Sequence, residues 1–151
     1  KQINIIPLPL SNLTDFNEFI LSGDEEGGSM SAFGVKYGID GKNINESINY
    51  TVLGITADYL ISNNLIQDFP KLIKIDVDGI EHLILSKMKK ILMSKECRSV
   101  FVEVNDNFIE QSDNVNSILN QCGFSLDSKV GANIQDDKDL EYIKNQIWIK
   151  K

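Results

Sequence analysis

The chain has 151 residues, 42% of them hydrophobic and 25% charged, which is enough apolar material for one domain over residues 1–151 and excludes disorder as its resting state. A formal net charge of −7, with no long Lys/Arg run, argues against a phosphate backbone as partner, so nucleic acid is not expected. No stretch is long and apolar enough to span a bilayer, and residues 1–11 lack the apolar core and cleavage site of a signal peptide, so a soluble, cytoplasmic protein is expected. The chain begins with Lys1 rather than Met and enters a strand-like run almost at once, so it reads as a piece of a longer protein. Cys97 and Cys122 are far apart, with no CxxC spacing, and are expected to be buried free thiols.

From the N-terminus, "INIIPLPLS" (3–11) is rich in Ile and Leu, but Pro7 and Pro9 remove two backbone donors and confine it to a strand end, an edge or a bulge. "DFNEFIL" (15–21) alternates as a strand. The stretch over 22–43, punctuated by Gly, Ser and Asp, reads as a loop, either a cover for something or an idle surface insertion. "INYTVLGI" (48–55) predicts a strand and Thr56 the N-cap of a short helix. "KLIKIDV" (71–77) predicts another strand. Ile80, Leu83, Ile84, Met88, Ile91 and Leu92 then fall at helical spacings and predict one helix. "SVFVEVN" (99–105) is strand-like, and "DNVNSILNQCGF" predicts a helix that presents Val115, Ile118, Leu119 and Cys122 to the core and stops at Gly123. Strand-like runs, including the one carrying Trp148 as a packing residue, close the chain. From Thr56 onward this alternation predicts an α/β fold with a mostly parallel sheet.

Charges gather where "KLIKIDV" meets its helix. On a strand, Leu72, Lys74 and Asp76 share one face, while Ile73, Ile75 and Val77 share the other. A central strand is covered on both faces, so a charge there needs a partner or the open crevice at the carboxyl end. Asp76 lies at that end with Lys74 beside it. In "SVFVEVN", Ser99, Phe101, Glu103 and Asn105 share a face. If the two strands are parallel neighbours, about 4.8 Å apart, Asp76, Glu103 and Asn105 line one crevice, the place where ligands bind in open α/β sheets. Asp78 and Glu81, three apart, form a capping box worth ~1 kcal/mol and are at the same time candidates for substrate contact. His82, the only histidine, is a candidate base, although a lone helical His is more often a partly exposed surface residue.

"LIKIDVDGIEHLIL" followed by "SVFVEVN" resembles the signature of the FkbM family of S-adenosylmethionine-dependent methyltransferases. That signature is a strand ending in Lys-Ile-Asp-Val-Glu-Gly, an acidic position in the helix, and a strand ending in Glu. Lys74, Asp76, Gly79, Glu81 and Glu103 match it, and Asp78 stands where the family usually has Glu. "VLGITADYLI" resembles an upstream segment with Asp58 in an Asp position, and "QCGF" a Gly-aromatic turn, so the likeness spans residues 48–126.

The resemblance implies a Rossmann-like class I methyltransferase sheet whose N-terminal cofactor-binding strands and Gly-rich loop are missing, with "INIIPLPLS" as roughly its third strand. It implies methyl transfer to a hydroxyl of a sugar, glycan or polar metabolite, with this chain alone inactive. Asp76 and Lys74 are then expected at the cofactor, Asp76, Glu103 and His82 in catalysis, and Asn105, Asp78 and Glu81 at the substrate. Asp76, Glu103 and Asn105 are also the candidate ligands for a divalent cation such as Mg2+. Two rival readings stand beside this one. Asp76-Val77-Asp78 is a DxD sequence of the kind by which glycosyltransferases hold a metal, and a non-catalytic remnant domain would need no chemistry.

Overall fold

The computed structural model describes residues 3–23, 31–44, 48–131 and 141–151. Strands β1 (Asp15–Leu21), β2 (Ala32–Phe33) and β3 (Ile48–Gly54) form an antiparallel sheet in the order β2-β1-β3. β1 and β3 pair along their full lengths, from Asp15 opposite Gly54 to Leu21 opposite Ile48. Phe19 and Tyr50 stack across this ladder with ring centroids 5.4 Å apart.

The strand anticipated over 3–11 does not form. Its tie to the sheet is a single bridge from Leu10 to Ile55, with Ser11 N–H donating to Ile55 O and Ile55 N–H to Pro9 O. Pro7 and Pro9 have no N–H to extend the ladder, and Ile3 and Ile5 remain exposed.

Helix α1 (Ala57–Ser62) starts as anticipated, with the Thr56 hydroxyl accepting from Tyr59 N–H. The single helix anticipated over 80–93 is instead two, α2 (Glu81–Ser86) and α3 (Lys89–Met93). Asp58 supplies the cause. In an unbroken helix Ile91 N–H would donate to Lys87 O. Here Asp58 N–H takes Lys87 O at 3.2 Å, and the Asp58 carboxylate accepts from Lys90 N–H at 2.9 Å and Ile91 N–H at 3.2 Å. One residue of α1 thereby caps α3, which has no cap of its own at Met88. Asp58→Ala is expected to lower the unfolding free energy by about 1–2 kcal/mol, the loss of a capping carboxylate. Urea denaturation reads this directly, and an unchanged midpoint would contradict it.

Strand β4 (Leu72–Ile75), strand β5 (Ser99–Asn105), helix α4 (Ile109–Gln121), strand β6 (Phe124–Gly131) and strand β7 (Ile143–Lys150) complete the chain. The second sheet has the order β4-β5-β7-β6. β4 and β5 are parallel, with Lys74 opposite Phe101, whereas β5–β7 and β7–β6 are antiparallel. The mostly parallel sheet is therefore corrected to one with a single parallel junction. β7 returns antiparallel and enters between β5 and β6.

One face of this sheet carries the core. Val100, Val102, Val104 and Trp148 are buried with Ile84, Leu85, Val115 and Leu119 of the helices. Trp148 is 1% exposed and donates Nε1–H to Gln146 Oε1 at 3.0 Å, while Cys97 and Cys122 are buried free thiols. The other face is open at β4, where Leu72 is 66% exposed. Lys74 and Asp76 thus avoid the burial cost that a doubly covered strand would impose. Among the described residues no helix is long and apolar enough to cross a membrane.

Candidate active site

The strand end is shaped by backbone that L-residues rarely adopt. After Ile75 the chain turns through Asp78, at φ 57°, and Gly79, at φ 124°. Glu81 braces this turn from inside. It is 0% exposed, and its carboxylate accepts from Val77 N–H at 3.1 Å, Gly79 N–H at 3.1 Å and Gln111 Nε2 at 2.6 Å. Burial pushes the Glu81 carboxyl above its usual range against the pull of those donors. Gln111 is itself fully buried, and its Oε1 accepts from Asn105 N–H at 2.8 Å. A continuous run of hydrogen bonds therefore fixes the carboxyl end of β4 to that of β5.

The capping box takes a different form from the one anticipated. Glu81 does reach back, but to the amides of Val77 and Gly79, and Ile80 occupies the N-cap position with no side-chain cap. The Asp78 carboxylate instead meets Ser31 N–H at 3.4 Å. Sequence reading missed Gln111. Its signal is a polar residue in line with Val115 and Leu119, four and eight positions on, within the buried stripe of α4.

On the open face, Lys74 Nζ lies 2.7 Å from Asp76 Oδ2, with both side chains well exposed. The hydrogen bond to Asp76 holds the Lys74 ammonium above its usual pKa. The register that sets Lys74 against Phe101 and Ile75 against Val102 brings Asp76 level with Glu103. Glu103 is pushed up to about 7, first by burial, then by the charge of Asp76, with further contributions from Glu81, a hydrogen bond to Asp76, and Asp78. A carboxyl that titrates near neutrality at a strand end is suited to accepting and returning a proton.

Asn105 does not join this crevice. It is 3% exposed, donates Nδ2–H to Ile39 O at 3.2 Å and accepts at Oδ1 from Asn107 N–H at 2.9 Å. Of the loop anticipated over 22–43, residues 24–30 lie outside the described residues, and the part that follows them lays the backbone of Gly38 and Ile39 across the strand ends. Phe108 sits edge-on to Tyr37 at 5.4 Å and to His82 at 5.8 Å. His82 is corrected from a partly exposed helix residue to a buried one. It is 3% exposed with no hydrogen-bond partner on either ring nitrogen, and burial lowers its pKa.

The anticipated metal site is also corrected. Among the described residues no group of three His, Cys, Asp or Glu side chains is placed to hold a metal ion. Both ends of the Asn105 amide are already engaged within the protein. Asp76 and Asp78 turn to different partners, Lys74 and Ser31, rather than forming the carboxylate clamp of a DxD motif.

No curated protein and no solved structure matches the chain. The model of the methyltransferase FkbM domain does, over residues 1–126. That range contains the whole β4–α2 turn, Glu103 and Gln111, and so the chain that builds this braced pair of strand ends belongs to the FkbM methyltransferase family.

Proposed function

We propose that the crevice at the ends of β4 and β5 serves S-adenosylmethionine-dependent methyl transfer to a hydroxyl oxygen, with Glu103 as the proton acceptor. The observation that carries this reading is the Asp76–Glu103 pair at the carboxyl ends of two adjacent parallel strands, Asp76 directly after β4 and Glu103 on β5, with Glu103 pushed up to about 7. The fit to the cofactor is electrostatic. Asp76 and Glu103 stand together with Lys74 as the cation paired to Asp76, so the crevice favours a ligand bearing positive charge, as a sulfonium and an ammonium do.

When bound, S-adenosylmethionine would supply an electrophilic methyl group, the S–C bond to its sulfonium breaking to leave a neutral thioether as the C–O bond forms. Glu103 would take the hydroxyl proton, and Asp76 would hold the cofactor's amino group while its charge keeps Glu103 basic enough to act. Lys74 fixes the Asp76 rotamer, and the Glu81–Gln111 run holds the strand ends in register, which is the positioning that such a transfer needs. The family resemblance implies a sugar or another polar metabolite as the carrier of the hydroxyl.

Calorimetric titration of the full-length protein separates this reading from its rivals. S-adenosylmethionine is expected to give a saturable heat. Asp76→Asn, which removes a charge-assisted contact worth about 1.4 kcal/mol or more, is expected to weaken binding at least about tenfold. Heat with UDP-glucose and Mn2+ but none with S-adenosylmethionine would overturn the reading in favour of glycosyl transfer, and silence in both would leave a non-catalytic domain.

A further inference from the structure

The ladder that brings Asp76 level with Glu103 carries on to a third strand. Glu103 stands directly opposite Asn145 of β7. Paired residues share a face of the sheet, so Asp76, Glu103 and Asn145 lie abreast on the open face, about 4.8 Å from one strand to the next. The row two residues back, Lys74, Phe101 and Ile147, agrees with this facing, because Lys74 Nζ sits 5.8 Å from the centroid of the Phe101 ring. Glu103 thus has a carboxylate on one side and a carboxamide on the other. The fold gives no account of that carboxamide. Asn is a poor strand former, yet Asn145 is half-buried on a strand paired along both edges, and its side chain makes no hydrogen bond among the described residues. Asn105, by contrast, has both ends of its amide engaged. Asn145 also lies beyond the residues 1–126 that the family model matches, so family membership assigns it no role.

We propose that Asn145 binds the methyl acceptor, its carboxamide holding a second oxygen of that molecule while the reacting hydroxyl meets Glu103. The inference rests on the methyltransferase reading and adds a specificity contact to the same site. A carboxamide offers both an N–H donor and a carbonyl acceptor, so it takes a hydroxyl or a carbonyl oxygen. Two contacts on neighbouring strands of one ladder fix the rotation of the acceptor as well as its position, which a single hydrogen bond to Glu103 does not. The molecules so favoured carry oxygens on neighbouring carbons, as a vicinal diol or a hydroxy-carbonyl compound does, over those whose reacting hydroxyl stands alone. Asp76 cannot fill this part, because its carboxylate only accepts and already holds Lys74 at 2.7 Å. Behind the polar row, half-buried Phe101 and Ile147 offer the carbon skeleton an apolar surface.

The test is an amide-shift titration of the 15N-labelled full-length protein at pH 8, above the value at which Glu103 gives up its proton. S-adenosylhomocysteine is added first, and cis-1,2-cyclohexanediol or cyclohexanol follows on the same sample. The diol is expected to shift the side-chain NH2 signals of Asn145 and the backbone amide of Glu103 saturably. Cyclohexanol is expected to bind at least about fivefold more weakly, about 1 kcal/mol for one hydrogen bond. Asn145→Val, which sets a strand-favouring residue at this position, is expected to bring the diol down to the affinity of cyclohexanol while leaving the response to S-adenosylhomocysteine in place. The wild-type comparison stands without the variant. Equal affinity for the two alcohols, diol binding that leaves the Asn145 NH2 signals unmoved, or a preference that survives in Asn145→Val would each overturn the proposal. A response to S-adenosylhomocysteine with none to the diol sinks the Asn145 contact alone. No response to S-adenosylhomocysteine sinks the methyltransferase reading and, with it, the acceptor role of Asn145.

Discussion

Replacing Glu103 with Gln is expected to slow the proposed methyl transfer steeply at neutral pH and, at the same time, to make the protein harder to unfold at pH 8. The folded protein holds this carboxyl at about 7 against an ordinary value of 4.5, chiefly through burial and then through the charge of Asp76. Between those two values the folded state binds more protons than the unfolded chain, so stability falls as pH rises and stays low above about 7. Gln cannot ionise and escapes that loss. The unscreened shift corresponds to about 3 kcal/mol, and partial solvent access to Glu103 reduces the expected gain to about 1–2 kcal/mol. The advantage of the variant should vanish below pH 4.5, where both side chains are neutral. A stability gap of equal size at pH 4 and pH 8 would show that packing, not ionisation, separates the two proteins.

The same variant reads the chemistry. Loss of a positioned base lowers turnover by about 10²–10⁴, and the wild-type rate should climb with pH through about 7, where Glu103 gives up its proton. His82 contributes a pH dependence of the opposite sign. Its folded pKa lies below the ordinary 6.5, so its contribution to stability is present above 6.5 and is lost as pH falls and the buried ring must charge. Because His82 is present in both proteins, its effect cancels from the difference between them. Comparison of stability curves therefore isolates Glu103.

That the carboxylate proposed as proton acceptor should cost stability follows from where the strand pattern puts it, and this much is legible in the sequence. Period-two alternation in "KLIKIDV" and "SVFVEVN" places Asp76 and Glu103 on matching faces at carboxyl ends, and the parallel β4–β5 register brings them level. What the sequence hides is set by partners distant along the chain. The break between α2 and α3 depends on Asp58, about thirty residues upstream, whose amide and carboxylate intercept the bonds of a helix that is periodic throughout. The orientation of Asn105 depends on Ile39 O, and the sheet order depends on a β6–β7 return that apolar strand runs alone do not distinguish from a crossover. The loop over 31–44 shows its turn residues in its composition, but its target appears only where its backbone meets Gly79.

That contact makes Gly79→Ala the most damaging single substitution expected for the fold of this site. A Cβ at Gly79 would lie 2.6 Å from Gly38 O, 2.8 Å from Gly38 C and 3.0 Å from Ile39 N, all backbone atoms, and Gly79 sits at φ +124°, which any side chain strains. No side-chain rotation relieves such a clash. Either the turn shifts, weakening the bonds from Val77 and Gly79 to Glu81, or the loop lifts and pulls Ile39 O from Asn105. Backbone strain of about 1–3 kcal/mol and overpacking of a similar size sum to an expected loss of about 2–6 kcal/mol in unfolding free energy. Gly123 offers a reference that separates the two costs, because it too has positive φ, +84°, yet a Cβ there meets nothing within 4 Å. Gly123→Ala should therefore cost only the conformational part, about 1 kcal/mol. Denaturant unfolding of both variants measures the difference, and equal losses would mean that the loop does not bear on the turn. A larger loss at Gly79, accompanied by faster amide exchange at Gly38 and Gly41, would establish that the same contact holds the cover over the strand ends and the turn that gives Asp76 and Asp78 different partners.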